Sequence, residues 1–106
     1  MTRPYLLTRG AATDLRHIVR YTVQTWGEAQ CRTYIEQIET ATTEIALGEG
    51  PFRPRDDLYP GLRVRQAGHH VIFCLPQPGQ PALILAILHE RMDILARLQG
   101  RLDQSL

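Results

Sequence analysis

Five side chains set the chemical question. Arg63 and Arg65 stand at i and i+2 of an alternating stretch, so both lie on one face of a strand. His70 opens the next such stretch, and His89 and Arg91 stand at and just beyond the end of the last one. Paired strands bring residues at these positions within side-chain reach, which makes Arg63, Arg65, His70, His89 and Arg91 a candidate basic cluster. Such a cluster could serve RNA cleavage, which requires activating a 2′-hydroxyl, stabilising a pentavalent phosphorane and protonating the leaving oxygen. The other reading of Arg63 and Arg65 is the solvated face of an edge strand. For His89 it is a ring packed at a strand end, one nitrogen bonding the backbone or Asp93 and fixing the turn that follows.

The elements that must position these residues follow from periodicity. Pro4 to Thr8 reads as a short strand, with Thr8 placed to cap the next element. From Arg9 to about Thr25, Ala12, Leu15, Ile18, Val19 and Thr22 recur at helical spacing, with Asp14, Arg16, His17 and Arg20 on other faces. Trp26-Gly27 interrupts the pattern, and a second helical run from Glu28 to Gly48 is marked by Cys31, Tyr34, Ile35, Ile38 and Ile45. So short a break implies an antiparallel helical hairpin. Residues 51–61, with three prolines and Asp56-Asp57, read as a surface loop.

Three strands are expected next, Leu62 to Gln66, His70 to Leu75 and Ala82 to His89, joined by residues 67–69 and by a hairpin loop over 76–81. The last is apolar on both faces and should therefore lie centrally. Asp93 is a natural N-cap for a terminal helix carrying Ile94, Leu95, Leu98 and Leu102, interrupted or ended near Gly100.

Composition narrows the function classes. The chain has 106 residues, 43% hydrophobic and 22% charged, as expected of one folded domain spanning 1–106. No leader-like start and no membrane-length apolar run is visible, so a soluble cytoplasmic protein is expected. The basic side is twelve arginines with no lysine, which leaves no lysine to act as a base. With a net charge of +1, any nucleic-acid role needs a local basic patch. Cys31 and Cys74 sit among apolar neighbours outside any C-x-x-C spacing and read as buried free thiols. No His, Cys, Asp or Glu set has zinc spacing, so neither metal nor cofactor is expected.

Along nearly its whole length the chain resembles the ParE branch of the RelE/ParE superfamily. Tyr5-Leu6-Leu7-Thr8, followed by Ala12, Asp14-Leu15, Ile18, Tyr21 and Trp26-Gly27-Glu28, is similar to the ParE opening. Gly61-Leu62-Arg63 and Gly68-His69-His70-Val71-Ile72-Phe73 look like that family's central strands, and Ile87-Leu88-His89-Glu90-Arg91-Met92-Asp93 like the end of its final strand. The resemblance implies an α+β fold of order βααβββ plus a C-terminal helix, with the helical hairpin packed on a small antiparallel sheet. It implies the toxin of a type II toxin–antitoxin system, inhibiting DNA gyrase by binding and stabilising cleaved-DNA complexes. No catalytic residues of its own and no sequence-specific DNA binding are then required.

It also implies a hetero-oligomer with a ParD-like antitoxin, whose C-terminal part wraps the toxin as an extended segment and an amphipathic helix. The superfamily's other branch, the ribosome-dependent mRNA endoribonucleases of RelE type, is matched poorly, since the chain has no lysine and no tyrosine after Tyr59. A non-toxic interaction module is the third reading. Arg63, Arg65, His70 and Arg91 are the target-binding candidates. Tyr21, Trp26 and Tyr34 are the antitoxin-binding candidates, with burial as core anchors the commoner fate of such aromatics.

Overall fold

One threonine turns the chain from strand to helix and ties it to the far end of the sequence. The computed structural model describes residues 3–105. Thr8 follows strand β1 (Tyr5–Leu7) and precedes helix α1 (Arg9–Trp26), and its hydroxyl accepts from the Ala11 N–H at 3.2 Å. The expected cap is thus in place. The same hydroxyl lies 3.0 Å from the carbonyl of Ile84 and 3.2 Å from that of Leu85, fastening the helix start to the last strand.

Helix α1 buries Ala11, Ile18 and Thr22 at helical spacing and extends one residue past the expected end, to Trp26. Gly27, at φ +89, both ends α1 and precedes helix α2 (Glu28–Leu47), a backbone conformation that side-chain-bearing residues rarely adopt. Helix α2 buries Cys31, Ile38, Ala41, Thr42 and Ile45 and closes at Gly48, whose left-handed φ of +74 lets its N–H reach the Ile45 carbonyl at 3.2 Å.

Five strands form the sheet, in the order β1-β5-β4-β3-β2. Strand β2 (Arg53–Pro54) lies inside the expected loop, its two residues pairing with β3 (Arg63–Ala67). Strands β3, β4 (His70–Gln77) and β5 (Gln80–His89) form the expected antiparallel meander. The expected loop over 76–81 is a two-residue turn at Pro78-Gly79, with both strands prolonged through Pro76 and Pro81. Pro76 falls within a register irregularity between Leu75 and Gln77, where its missing N–H disturbs the ladder least. The sheet is mixed, because β1 runs parallel to β5, with Tyr5, Leu6 and Leu7 opposite Ala82, Leu83 and Ile84.

Strand β5 is buried on both faces, as its composition suggests, and a bulge opposite Phe73 and Cys74 makes this work. Ala82, Ile84 and Ile87 face the helical hairpin with Ile18, Ile38, Ile45 and Ile72; Leu85, Ala86 and Leu88 face the other side with Phe73, Leu98 and Leu102. An unbroken alternation would have put Ile84 and Ile87 on opposite faces; the extra residue resets it. Each large side chain fully buried here contributes about 1.5–3 kcal/mol.

The second face is covered by helix α3 (Ile94–Ser105). It runs through Gly100 rather than stopping there: the exposed glycine costs about 1 kcal/mol relative to alanine, and burial of Leu98 and Leu102 on either side offsets it. Its start is capped by Asp93, whose carboxylate accepts from the Ala96 N–H at 3.4 Å. Among the described residues no helix is long and apolar enough to cross a membrane.

Candidate functional site

At one end of the β4–β5 ribbon, where His70 lies opposite His89, three imidazoles meet. The His70 ring is 5.2 Å from that of His89 and edge-on to it, while His69 and His89 lie 6.3 Å apart and nearly parallel. Tyr34 reaches down from α2, its hydroxyl 2.5 Å from His70 Nδ1 and accepting from the His69 N–H at 3.0 Å. His69 Nδ1 is 2.8 Å from a Glu90 carboxylate oxygen, and Gln66 donates to the other oxygen at 2.6 Å.

Burial, then the neighbouring His89 and His69, push His70 down from 6.5 to about 4. At neutral pH it is therefore a neutral ring with Nδ1 held by Tyr34. Burial in turn raises the Tyr34 hydroxyl above its ordinary value. Hydrogen bonding to His69 holds the exposed Glu90 carboxylate below its usual range. His89 Nδ1 accepts from the Arg91 N–H at 3.1 Å, so of the two anchors expected for this ring it is the backbone that holds it.

The two strand arginines do not join this group, nor do they form a solvated face. Arg63 donates to the carbonyls of Ile45 at 3.0 Å and Ala46 at 3.5 Å, and its guanidinium lies 5.0 Å from the centre of the Phe52 ring. It thereby satisfies the open end of α2, where carbonyls and the helix dipole both favour a cation. Arg65, with only 16% of its side chain exposed, pairs with Glu44 on α2 at 2.8 Å. Both face inward because β3 turns that side of the sheet toward the helical hairpin.

Arg91 stands exposed in the turn between β5 and α3. Tyr21 and Trp26 are 65% and 67% exposed rather than buried as core anchors. The hairpin tip runs past the end of the sheet, and residues 23–30 are exposed throughout. Val19 and Val23 are exposed beside Trp26, at i, i+4 and i+7, so an apolar stripe runs up that part of α1. Tyr34 alone of the three aromatics is turned into the molecule. Cys31 and Cys74 are buried free thiols, and burial pushes Cys74 up to about 11. Among the described residues no three His, Cys, Asp or Glu side chains converge as metal ligands would.

One arrangement was not foreseen. Asp14, placed by spacing off the apolar stripe of α1, points inward and forms a two-pronged ion pair with Arg101 of α3, at 2.6 and 2.7 Å. The same carboxylate accepts from the Ile87 N–H at 2.9 Å, and Arg101 donates to the Leu85 carbonyl at 3.1 Å. Beyond the end of β1 the edge of β5 would otherwise present open backbone groups; here an acid and a base complete it. The available signal was that Asp14 is the only acid in α1 and sits between Ala11 and Ile18 on the buried stripe.

Comparison with known proteins places this architecture. The family model described as the ParE toxin of the type II toxin–antitoxin system parDE matches residues 5–94. The chain is 52% identical over 98 residues to Toxin ParE of Escherichia coli, covering 92% of this chain and 95% of that protein. It is 33% identical over 96 residues to Toxin ParE1 of Caulobacter vibrioides, covering 91% and 98%. A solved structure titled "Chromosomal ParDE TA system from P. aeruginosa" shares the fold at a TM-score of 0.65 and 22% identity, covering 84% of this chain and 95% of that one. With the family model spanning the sheet and helical hairpin, and relatives aligned over nine-tenths of its length, the chain belongs to the ParE toxin family of type II toxin–antitoxin systems.

Proposed function

We propose that this toxin acts in the cytoplasm by binding DNA gyrase and arresting it on cleaved DNA, and that a ParD-like antitoxin neutralises it as a hetero-oligomer. The observation that carries the binding reading is how the basic side chains of the sheet are spent. Arg63 and Arg65 are committed to α2, and His70 is a neutral ring held by Tyr34. Phosphodiester cleavage would need such groups free to exchange protons and hold phosphate. The ParE resemblance supplies the target.

Of the target-binding candidates Arg63, Arg65, His70 and Arg91, Arg91 presents an exposed guanidinium and is the direct contact in this reading. For the antitoxin, the exposed Trp26 in line with Val19 and Val23 offers an apolar rail for an amphipathic helix, with the exposed Tyr21 a separate contact on another side of α1 and Tyr34 acting through the strand end it holds.

Supercoiling of relaxed plasmid by purified gyrase tests the target. Inhibition with accumulation of cleaved DNA is expected, and an unchanged rate at excess toxin sinks the reading. Cleavage of ribosome-bound mRNA would replace it with ribonuclease action. For the partner, growth arrest should be relieved by co-expressing an adjacent antitoxin gene. Trp26→Ser should weaken antitoxin binding by about 2 kcal/mol, roughly 30-fold, while leaving the fold intact.

A further inference from the structure

Helix α1 carries a second stripe, distinct from its apolar one. Arg9, Arg16 and Arg20 recur at i, i+7 and i+11, which at about 3.6 residues per turn gathers them within roughly 40° of arc, opposite the buried Ile18. Thr13, His17 and Gln24 complete the same face, and all but the half-buried Thr13 are exposed. The helix's one acid, Asp14, is on the inner side and already neutralised by Arg101. Helix α2 carries the opposite sign, with Glu28, Glu36, Glu39 and Glu44 against Arg32. Arg97, exposed on α3, stands one turn before the Arg101 that pairs with Asp14 of α1. A chain of net charge +1 thus concentrates positive charge on one face.

We infer that the outer face of α1, with Arg9, Arg16 and Arg20 at its centre, is a contact surface for the phosphate backbone of duplex DNA, independent of sequence. The inference rests on the gyrase reading and deepens it: a toxin that holds gyrase on cleaved DNA would meet the duplex as well as the enzyme. Two features favour DNA over an acidic protein. Within the arc that the three arginines share with Thr13, His17 and Gln24 there is no apolar or aromatic anchor, the exposed Val19 and Val23 adjoining it only on the Trp26 side, whereas protein–protein interfaces centre on such anchors and protein–DNA interfaces are polar and positive. The three guanidinium groups are spread over about 16 Å of helix, alongside a duplex strand that presents a phosphate every 3.4 Å or so. Arg16 and Arg20, at i and i+4, also repel each other, a cost that a purely structural helix face has no reason to bear.

Fluorescence anisotropy of the full chain with a labelled duplex of scrambled sequence tests this. Three phosphate contacts should weaken binding roughly 40-fold between 50 and 200 mM salt. The variant Arg9→Gln/Arg16→Gln/Arg20→Gln should bind at least tenfold more weakly at 50 mM, with a log–log salt slope shallower by about 2.7. Arg3→Gln/Arg32→Gln/Arg53→Gln, which removes the same charge elsewhere, should keep both. Thermal melts report whether each variant is folded. The inference is overturned if the α1 variant binds as the parent does, if the control loses as much, or if the chain binds a poly-glutamate peptide and not the duplex. Supercoiling separates the two claims: inhibition without duplex binding removes this inference and leaves the gyrase reading, and duplex binding with normal supercoiling removes the gyrase reading alone.

Discussion

Arg63 and Arg101 each end among acceptors of other elements, whereas Arg9, Arg16 and Arg20 stand exposed, Arg16 donating to Thr13 one turn back on its own helix at 3.0 Å. In the sequence all five are arginines at helical or strand spacing, and nothing local separates them. What separates them is what the fold brings opposite: the open carbonyls of α2 for Arg63, a buried carboxylate for Arg101, and, among the described residues, no acceptor from another element for the α1 stripe. Inward arginines complete backbone that the sheet and helices leave unfinished; outward ones are free for a partner.

The strongest way to break this contrast is Asp14→Ala. The side chains of Asp14 and Arg101 are only 11% and 16% exposed, so removing the acid leaves a largely buried cation and an unmet Ile87 N–H. A loss of about 3 kcal/mol is expected in urea denaturation, and a loss below about 1 kcal/mol would show the junction to be dispensable. Arg63→Ala should cost less, roughly 1–2 kcal/mol, through the two freed carbonyls and the lost stacking on Phe52.

A pH-dependent effect distinguishes the histidine end, where charge depends on pH, from the arginine posts, where it does not. Between about 4 and 6.5 the unfolded chain takes up a proton at His70 and the folded chain does not. Stability present above about 6.5 should therefore drain away as the pH falls toward about 4, and His70→Gln should flatten that part of the profile. An unchanged slope would mean that His70 does not set it. Smallest of all, Arg16→Gln should shift stability by no more than about 0.5 kcal/mol, in the stabilising direction if repulsion from Arg20 is felt.

Much of the scaffold was legible because periodicity and caps are local. Thr8, Gly27, Gly48 and Asp93 mark the helix ends within a residue or so, and the double-sided apolar run of β5 correctly implied a covered sheet. What escaped was non-local. Nothing near Tyr5 indicates a parallel partner at Ala82, and nothing near Asp14 indicates Arg101. The candidate site divided along the same line. His70 and His89 do meet, since their strands are consecutive, but Arg63 and Arg65 were drawn away by a helix whose approach strand spacing cannot reveal. Trp26 misled for a related reason: helical period says which way a residue faces, not whether the sheet extends far enough to cover it.

The position of β5 in the chain has a consequence for how the protein is made. The strand that joins β1 to β4 is synthesised after the other four strands of the sheet, and Thr8 waits for a partner 76 positions later. A growing chain can wind α1 and α2 early, but Ile18, Ile38 and Ile45 have no complete sheet to cover them until residues 80–89 have emerged. Assembly is therefore a late, long-range event rather than a gradual one. A fragment ending at Pro81 should show no cooperative unfolding transition, and the ribosome would deliver this toxin as a working molecule only once residues 80–89 had left it.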